Sequence, residues 1–83
     1  MNLYAPKILL INPSKSFRVL LPTMEGTFKF HLVERPSDGL QVAHNDDIDI
    51  IVLFAEETNE ALGMGMQFKQ SMVTRDIPVL ILT

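Results

Sequence analysis

The chain has 83 residues, a net charge of −3 and no cysteine. This length allows one domain, and the lack of cysteine excludes a disulfide framework, a thiolate nucleophile and a cysteine-ligated metal site. The Lys and Arg residues are scattered, which argues against nucleic-acid binding, and every apolar run is far shorter than the roughly 20 residues of a membrane span.

The first predicted elements are a strand and a helix. Residues 8–11 (ILLI) are a continuous run of branched residues, which is typical of a strand covered on both faces. Residues 14–24 predict an amphipathic helix with Ser14 or Ser16 as its N-cap. The apolar residues at helical spacing are Phe17, Leu20, Leu21 and Met24. Pro22 should end or kink this helix near Leu21, because proline removes a backbone donor and clashes with the preceding turn.

The second pair of elements is more polar. Lys29–Val33 alternates polar and apolar residues, which predicts an edge strand with one face closer to water. Residues 37–45 predict a short helix that buries Leu40 and Ala43. His31 and His44 are isolated, and we expect neither to bind a metal because metal sites need converging ligands.

The last part of the chain begins with a polar loop. Asp46, Asp47 and Asp49 predict a solvated loop before the apolar strand of residues 48–54. Residues 59–72 predict a third helix, and Val79–Leu82 predicts a fourth strand. The side chains expected to face inward from the third helix are Leu62, Met66 and Met72.

The predicted order β-α-β-α-β-α-β implies a parallel sheet with right-handed crossovers. Val79–Leu82 would lie at the edge of this sheet, and a bare apolar edge invites pairing with another strand. Either the chain is a fragment of a longer protein or a partner covers this edge, and we favour the fragment.

The whole chain resembles a response-regulator receiver domain. Lys7–Ile11 resembles the first strand of that family, and residues 75–83 (RDIPVLILT) resemble its fourth strand, which ends on a hydroxyl residue. Residues 49–54 (DIIVLF) resemble its third strand, in which an acidic residue and a run of apolar residues precede the phospho-accepting aspartate. The resemblance implies a cytoplasmic protein with a flavodoxin-like, doubly wound α/β fold and strand order 2-1-3-4. Residues 1–83 would be the N-terminal part of the domain, truncated before the fifth strand.

The positions that carry chemistry in the receiver family are altered in this chain. Phe54 stands at the phosphoacceptor position and has no nucleophilic atom. Asn12 and Pro13 stand where the family has the acidic pair that holds Mg²⁺, an ion that prefers carboxylate oxygens. Only Thr83, at the switch hydroxyl position, is retained. The resemblance therefore implies that Mg²⁺ binding is lost and that no cofactor is used.

Three hypotheses for function follow. The first is a degenerate receiver, or pseudo-receiver, of phosphorelay signalling that acts through a protein partner or dimerisation and is not itself an enzyme. Its partners would include neighbouring domains of a larger protein, such as a tandem-receiver diguanylate cyclase. The second is a module that binds a small ligand in the crevice near Asn12, Phe54 and Thr83. The third is a phosphoacceptor that uses a displaced acid such as Glu56, although the acidic residues after this strand more simply favour a helix N-terminus.

Overall fold

The computed structural model describes residues 5–82, which form a four-stranded sheet and three helices. The elements are β1 (Lys7–Ile11), α1 (Lys15–Met24), β2 (Lys29–Val33), α2 (Pro36–Asn45), β3 (Ile50–Phe54), α3 (Thr58–Gln70) and β4 (Val79–Leu82). The strands lie in the order β2-β1-β3-β4, and each neighbouring pair is parallel. The predicted flavodoxin-like fold and strand order are confirmed. None of the described helices has the length and apolar character needed to cross a bilayer.

The sheet is covered on both faces, and this explains why its central strands do not alternate. Successive side chains of a strand point to opposite faces. Leu9 and Leu53 therefore belong to the core that contains Phe68 of α3, whereas Leu10 and Phe54 belong to the core on the α1 face. The side of the sheet that contains Leu9 and Leu53 is called the α3 face. The side that contains Leu10 and Phe54 is called the α1 face.

Helix α2 lies close to β1 because Gly39 has no side chain. A Cβ atom at this position would lie 2.6 Å from Cδ1 of Ile11 and 3.2 Å from Cδ2 of Leu9. Both of these side chains are fully buried. Glycine is therefore required by the packing of α2 on the sheet, although it weakens a helix by roughly 1 kcal/mol relative to alanine.

The prediction that Pro22 ends or kinks α1 near Leu21 was wrong as to where the helix ends. The helix continues to Met24, and the N–H of Glu25 donates to the carbonyl of Leu21 at 3.1 Å. Pro22 lies in the last turn of α1. Its missing N–H therefore removes one hydrogen bond at the end of the helix, where the last carbonyls have no partner within the helix in any case. The predicted N-cap is confirmed at Ser14, whose hydroxyl oxygen accepts from the N–H of Phe17 at 3.2 Å.

The predicted inner face of α3 was also wrong. Leu62, Met66 and Met72 are exposed, with between 54% and 82% of their surface accessible. The buried residues of α3 are instead Ala61 and Phe68. Both sets are apolar and both fit a helical repeat, so the spacing alone did not identify the face that packs on the sheet.

Candidate functional site

A groove of about 610 Å³ lies at the carboxyl ends of β1 and β3, beside the start of α1. It brings together Asn12, Pro13, Phe54 and Glu56, which the sequence had placed at this end of the sheet. The carboxyl ends of parallel strands are the usual location of sites in open α/β folds. Thr83, the predicted switch hydroxyl, lies outside the described residues.

Phe54 forms part of the apolar wall of this groove. It is the last residue of β3 and is 9% exposed. Its ring centroid lies 5.0 Å from that of Phe17, with an angle of 62° between the ring planes. This edge-to-face geometry is favoured by the quadrupoles of the two rings. The side chain at the predicted acceptor position is therefore packed against α1 and presents only carbon and hydrogen to the groove.

The loop between β1 and α1 is built from the residues at the predicted acidic-pair positions. Asn12 has a φ of 54°, a left-handed conformation that asparagine tolerates better than most residues. Its N–H donates to the carbonyl of Val33 at 2.7 Å, which ties the loop to β2. The carbonyl of Pro13 accepts from Nε of Arg18 at 3.1 Å. These groups turn the chain from the sheet into the helix.

The side chains of the groove do not offer the ligand atoms of a receiver-type magnesium site. Glu56 supplies the single carboxylate among its lining residues in the described part of the chain. Asn12 offers a neutral amide oxygen, while the side chains of Pro13 and Phe54 offer no ligand atom. Mg²⁺ is usually bound through one or two carboxylates in near-octahedral geometry. Between residues 5 and 82, no three His, Asp or Glu side chains are placed to hold a metal ion. Loss of Mg²⁺ binding itself stays a prediction.

A second polar cluster lies at the other end of the sheet, and the sequence did not predict it. The carboxylate of Asp46 accepts from Nζ of Lys7, and its other oxygen lies 2.9 Å from Nε2 of His31. Asp49 accepts from the N–H of Lys7 at 2.8 Å. The prediction that Asp46 and Asp49 belong to a merely solvated loop was therefore wrong. Instead, this cluster joins β1, β2 and the α2–β3 loop.

The charges in this cluster stabilise each other. The hydrogen bond from Lys7 holds the pKa of Asp46 below its usual value, and partial burial opposes this effect. The same bond raises the pKa of Lys7, with smaller contributions from Asp47 and Asp49. No sequence signal pointed to this pairing, because the residues are separated along the chain and meet only when β1 and β2 are aligned.

Comparisons with known proteins establish a likeness in fold. No protein-family model matches the chain, and no curated protein matches it. Among solved structures, the chain is similar to the chemotaxis response regulator CheY4 of Vibrio cholerae, with a TM-score of 0.72 and 14% sequence identity. The match covers 94% of this chain and 68% of that chain. The sheet and its helices therefore have the fold of a CheY-type receiver.

Proposed function

We propose that this domain is a degenerate receiver, which serves signal transduction through protein contact rather than through phosphorylation of an aspartate. The observation that carries the proposal is Phe54. In a fold like that of a response regulator, a buried ring stands at the end of β3 and packs on Phe17. A phosphoacceptor requires a nucleophilic carboxylate, and phosphoryl transfer relies on a metal ion to neutralise the moving charge.

Glu56 is a weaker candidate for the acceptor. Its carboxylate is exposed in the loop after β3 and lines the groove. It would have to act without a second carboxylate to share a metal ion, because Asn12 and Pro13 occupy the nearby loop. We therefore place the domain's role in its contacts, within a cytoplasmic protein whose further domains would provide any enzymatic output, such as a diguanylate cyclase.

A contact role is supported by the apolar surface around β4. Leu80 is 55% exposed, and Leu82 and Leu20 on the same face are also exposed. Exposed apolar side chains that cluster beside a groove are typical of interaction sites. These side chains lie next to the groove that contains Phe54, because Leu20 and Leu82 line its wall.

The size of the groove favours a second candidate function, the binding of a small ligand. Its volume of about 610 Å³ falls within the roughly 300–1,000 Å³ of ordinary ligand sites. The lining is mainly apolar, and its polar side chains are those of Asn12, Ser14, Ser16 and Glu56. An amide NMR titration with a small-molecule library would support this candidate if shifts converged on the residues of the groove.

Phosphoryl transfer can be tested directly. The chain is incubated with acetyl phosphate and Mg²⁺, and its intact mass is recorded. We expect no phosphoryl adduct, because the groove lacks both the acceptor and the acidic pair. The matched variant carries Asn12→Asp, Pro13→Asp and Phe54→Asp together and restores those groups. A wild-type adduct that disappears in Glu56→Gln would contradict the proposal and favour the displaced acid.

A further inference from the structure

We propose that the groove at the carboxyl ends of β1 and β3 holds a segment of a partner protein in which an aromatic side chain lies beside a lysine or arginine. The inference rests on the proposed function, because it names the partner chemistry that a receiver acting through contact would recognise. The groove offers an apolar wall for the ring, a carboxylate for the cation and polar groups for the backbone of the segment.

The groove belongs to the centre of the described sheet. All but one of its lining residues lie in two segments, 12–20 and 54–56, which contain the β1–α1 loop, part of α1 and the end of β3. The exception is Leu82 on β4. Because β1 and β3 are the two inner strands, the walls of the groove do not depend on what lies beyond the outer side of β4.

The wall of the groove suits an aromatic anchor. The rings of Phe17 and Phe54 lie edge to face, with 5.0 Å between their centroids, and Pro13 and Ala55 add further carbon surface. Aromatic side chains often anchor protein interfaces, because they bury a large apolar area with few rotatable bonds. The volume of about 610 Å³ is ample for a ring and for the carbon stem of a lysine, since ordinary ligand sites occupy roughly 300–1,000 Å³.

The charge in contact with the groove is negative. Among the described lining residues, Glu56 is the only one with a charged side chain, and it forms no ion pair with another residue between 5 and 82. Lys15 and Arg18 are outside the lining. Arg18 is also engaged, because its Nε donates to the carbonyl of Pro13 at 3.1 Å. A charged group that enters the groove therefore meets a carboxylate first.

The amino ends of α1 and α3 oppose this negative charge but do not exceed it. A helix end carries about half a positive charge. At α3, Glu57 and Glu60 lie beside that end and offset it. At α1, the N-cap Ser14 already accepts from the N–H of Phe17. The full charge of Glu56 outweighs the remaining half charge, so the groove favours a cation over an anion.

Two further polar groups of the groove can bond to a peptide backbone. Asn12 and Ser16 are exposed and line the groove, and the side chain of neither bonds to another described residue. A side-chain amide both donates and accepts, which matches the N–H and C=O groups of a peptide. These groups favour a protein segment over a simple amine as the occupant.

Three capped dipeptides test the two halves of this recognition. The isotope-labelled chain is titrated with N-acetyl-Phe-Lys-amide, and we expect saturable shifts of the amides of Ser16, Ala55 and Glu56. N-acetyl-Phe-Glu-amide should bind roughly fivefold more weakly, because its carboxylate meets that of Glu56. N-acetyl-Ala-Lys-amide should bind roughly tenfold more weakly, because it lacks the ring. Equal affinities, or shifts confined to other parts of the chain, would overturn the proposal.

Reversal of the charge at Glu56 tests the role of its carboxylate. We expect Glu56→Lys to bind the Phe-Glu peptide more tightly than the Phe-Lys peptide. Glu25→Lys makes the same change in net charge at the opposite end of α1 and should keep the wild-type preference. Circular dichroism establishes that both variants are folded. A Glu56→Lys chain that still preferred the Phe-Lys peptide would show that this carboxylate does not select the partner.

Phenethylamine tests whether the occupant is a peptide, because it carries a ring and a cation without peptide groups. We expect it to bind the wild type roughly threefold more weakly than N-acetyl-Phe-Lys-amide does. Asn12→Gly should remove this difference, since glycine keeps the left-handed backbone and lacks the side-chain amide. Equal or tighter binding of phenethylamine by the wild type would overturn the protein segment and favour a small ligand.

The two proposals fail in different ways. A wild-type chain that accepts no phosphoryl group and binds none of the peptides would overturn the partner chemistry alone. A phosphoryl adduct on the wild-type chain would contradict the degenerate receiver, whatever the peptides do.

Discussion

Phe54 shows what one residue contributes at the end of β3. A carboxylate at this position would need water, a metal ion or hydrogen-bond donors around it. The ring instead lies against Phe17 and is removed from water in the core of the α1 face. An aromatic residue buries a large apolar area, so Phe54 contributes to the stability of the core on the α1 face.

Replacement of Phe54 by aspartate should destabilise the domain. We expect Phe54→Asp to lower the free energy of unfolding by about 3 kcal/mol or more, because it removes a buried ring and places a carboxylate among apolar side chains. Phe54→Leu keeps the position apolar and should cost clearly less. Urea unfolding followed by circular dichroism measures both. Unchanged or increased stability of Phe54→Asp would contradict the view that the ring stabilises the core of the α1 face.

Asp46 should make the free energy of unfolding fall as the solution becomes acidic. Lys7 lowers the folded-state pKa of Asp46 from its usual 3.8, so the carboxylate stabilises the fold above that value. This contribution is lost as pH falls through the lowered pKa. The raised pKa of Lys7 acts in the opposite sense, and its contribution is lost only in alkali, above its usual 10.5.

The pH effect can be measured from urea midpoints between neutral pH and about pH 2. We expect Asp46→Asn to be less stable than the wild type at neutral pH and to lose less stability on acidification. Glu34→Gln, which removes an exposed carboxylate directly after β2, controls for the change in net charge. Parallel acid profiles for the wild type and Asp46→Asn would show that the hydrogen bond with Lys7 has no net effect.

At the scale of elements, the glycines of α2 and α3 differ in what surrounds them. A Cβ at Gly39 would meet Ile11 at 2.6 Å and Phe68 at 3.2 Å, whereas a Cβ at Gly63 would have no atom within 4 Å. Both lie inside helices, where alanine is favoured over glycine by about 1 kcal/mol. At Gly39, packing favours glycine while helix propensity favours alanine. At Gly63, helix propensity favours alanine and packing does not oppose it.

We expect Gly39→Ala to lower the free energy of unfolding by about 1–3 kcal/mol, because the added methyl group overpacks the contact between α2 and β1. Gly63→Ala should raise it by up to about 1 kcal/mol. Thermal unfolding of the two variants beside the wild type provides the comparison. If Gly39→Ala were as stabilising as Gly63→Ala, the close approach of α2 to the sheet would be disproved.

The elements also show how far local pattern predicts structure. The strands were predictable because continuous branched runs such as Ile50–Phe54 occur where a sheet is covered on both sides. Helix faces were less predictable. Leu62 and Met66 fit the helical repeat as well as Ala61 and Phe68, and only the packing against β3 and β4 selects between them.

At the scale of the whole molecule, the alternation of strands and helices made both the fold and the residues of the groove predictable from the sequence. Alternating strands and helices restrict the topology to a parallel sheet, and such a sheet gathers the residues after its strands at one end, here Asn12 and Glu56. The cluster of Lys7, His31 and Asp46 was not predictable, because its contacts depend on the alignment of separate strands and loops.

Lys29 on β2 has a consequence for the growth of the sheet at that edge. In the described sheet, β2 is the outer strand on one side, with Lys29 exposed and His31 held beside Asp46. A strand that approached this edge would have to bury the charge of Lys29, which opposes pairing. The sheet is therefore protected from growth on the β2 side, and copies of the domain should not join into a fibre through this edge.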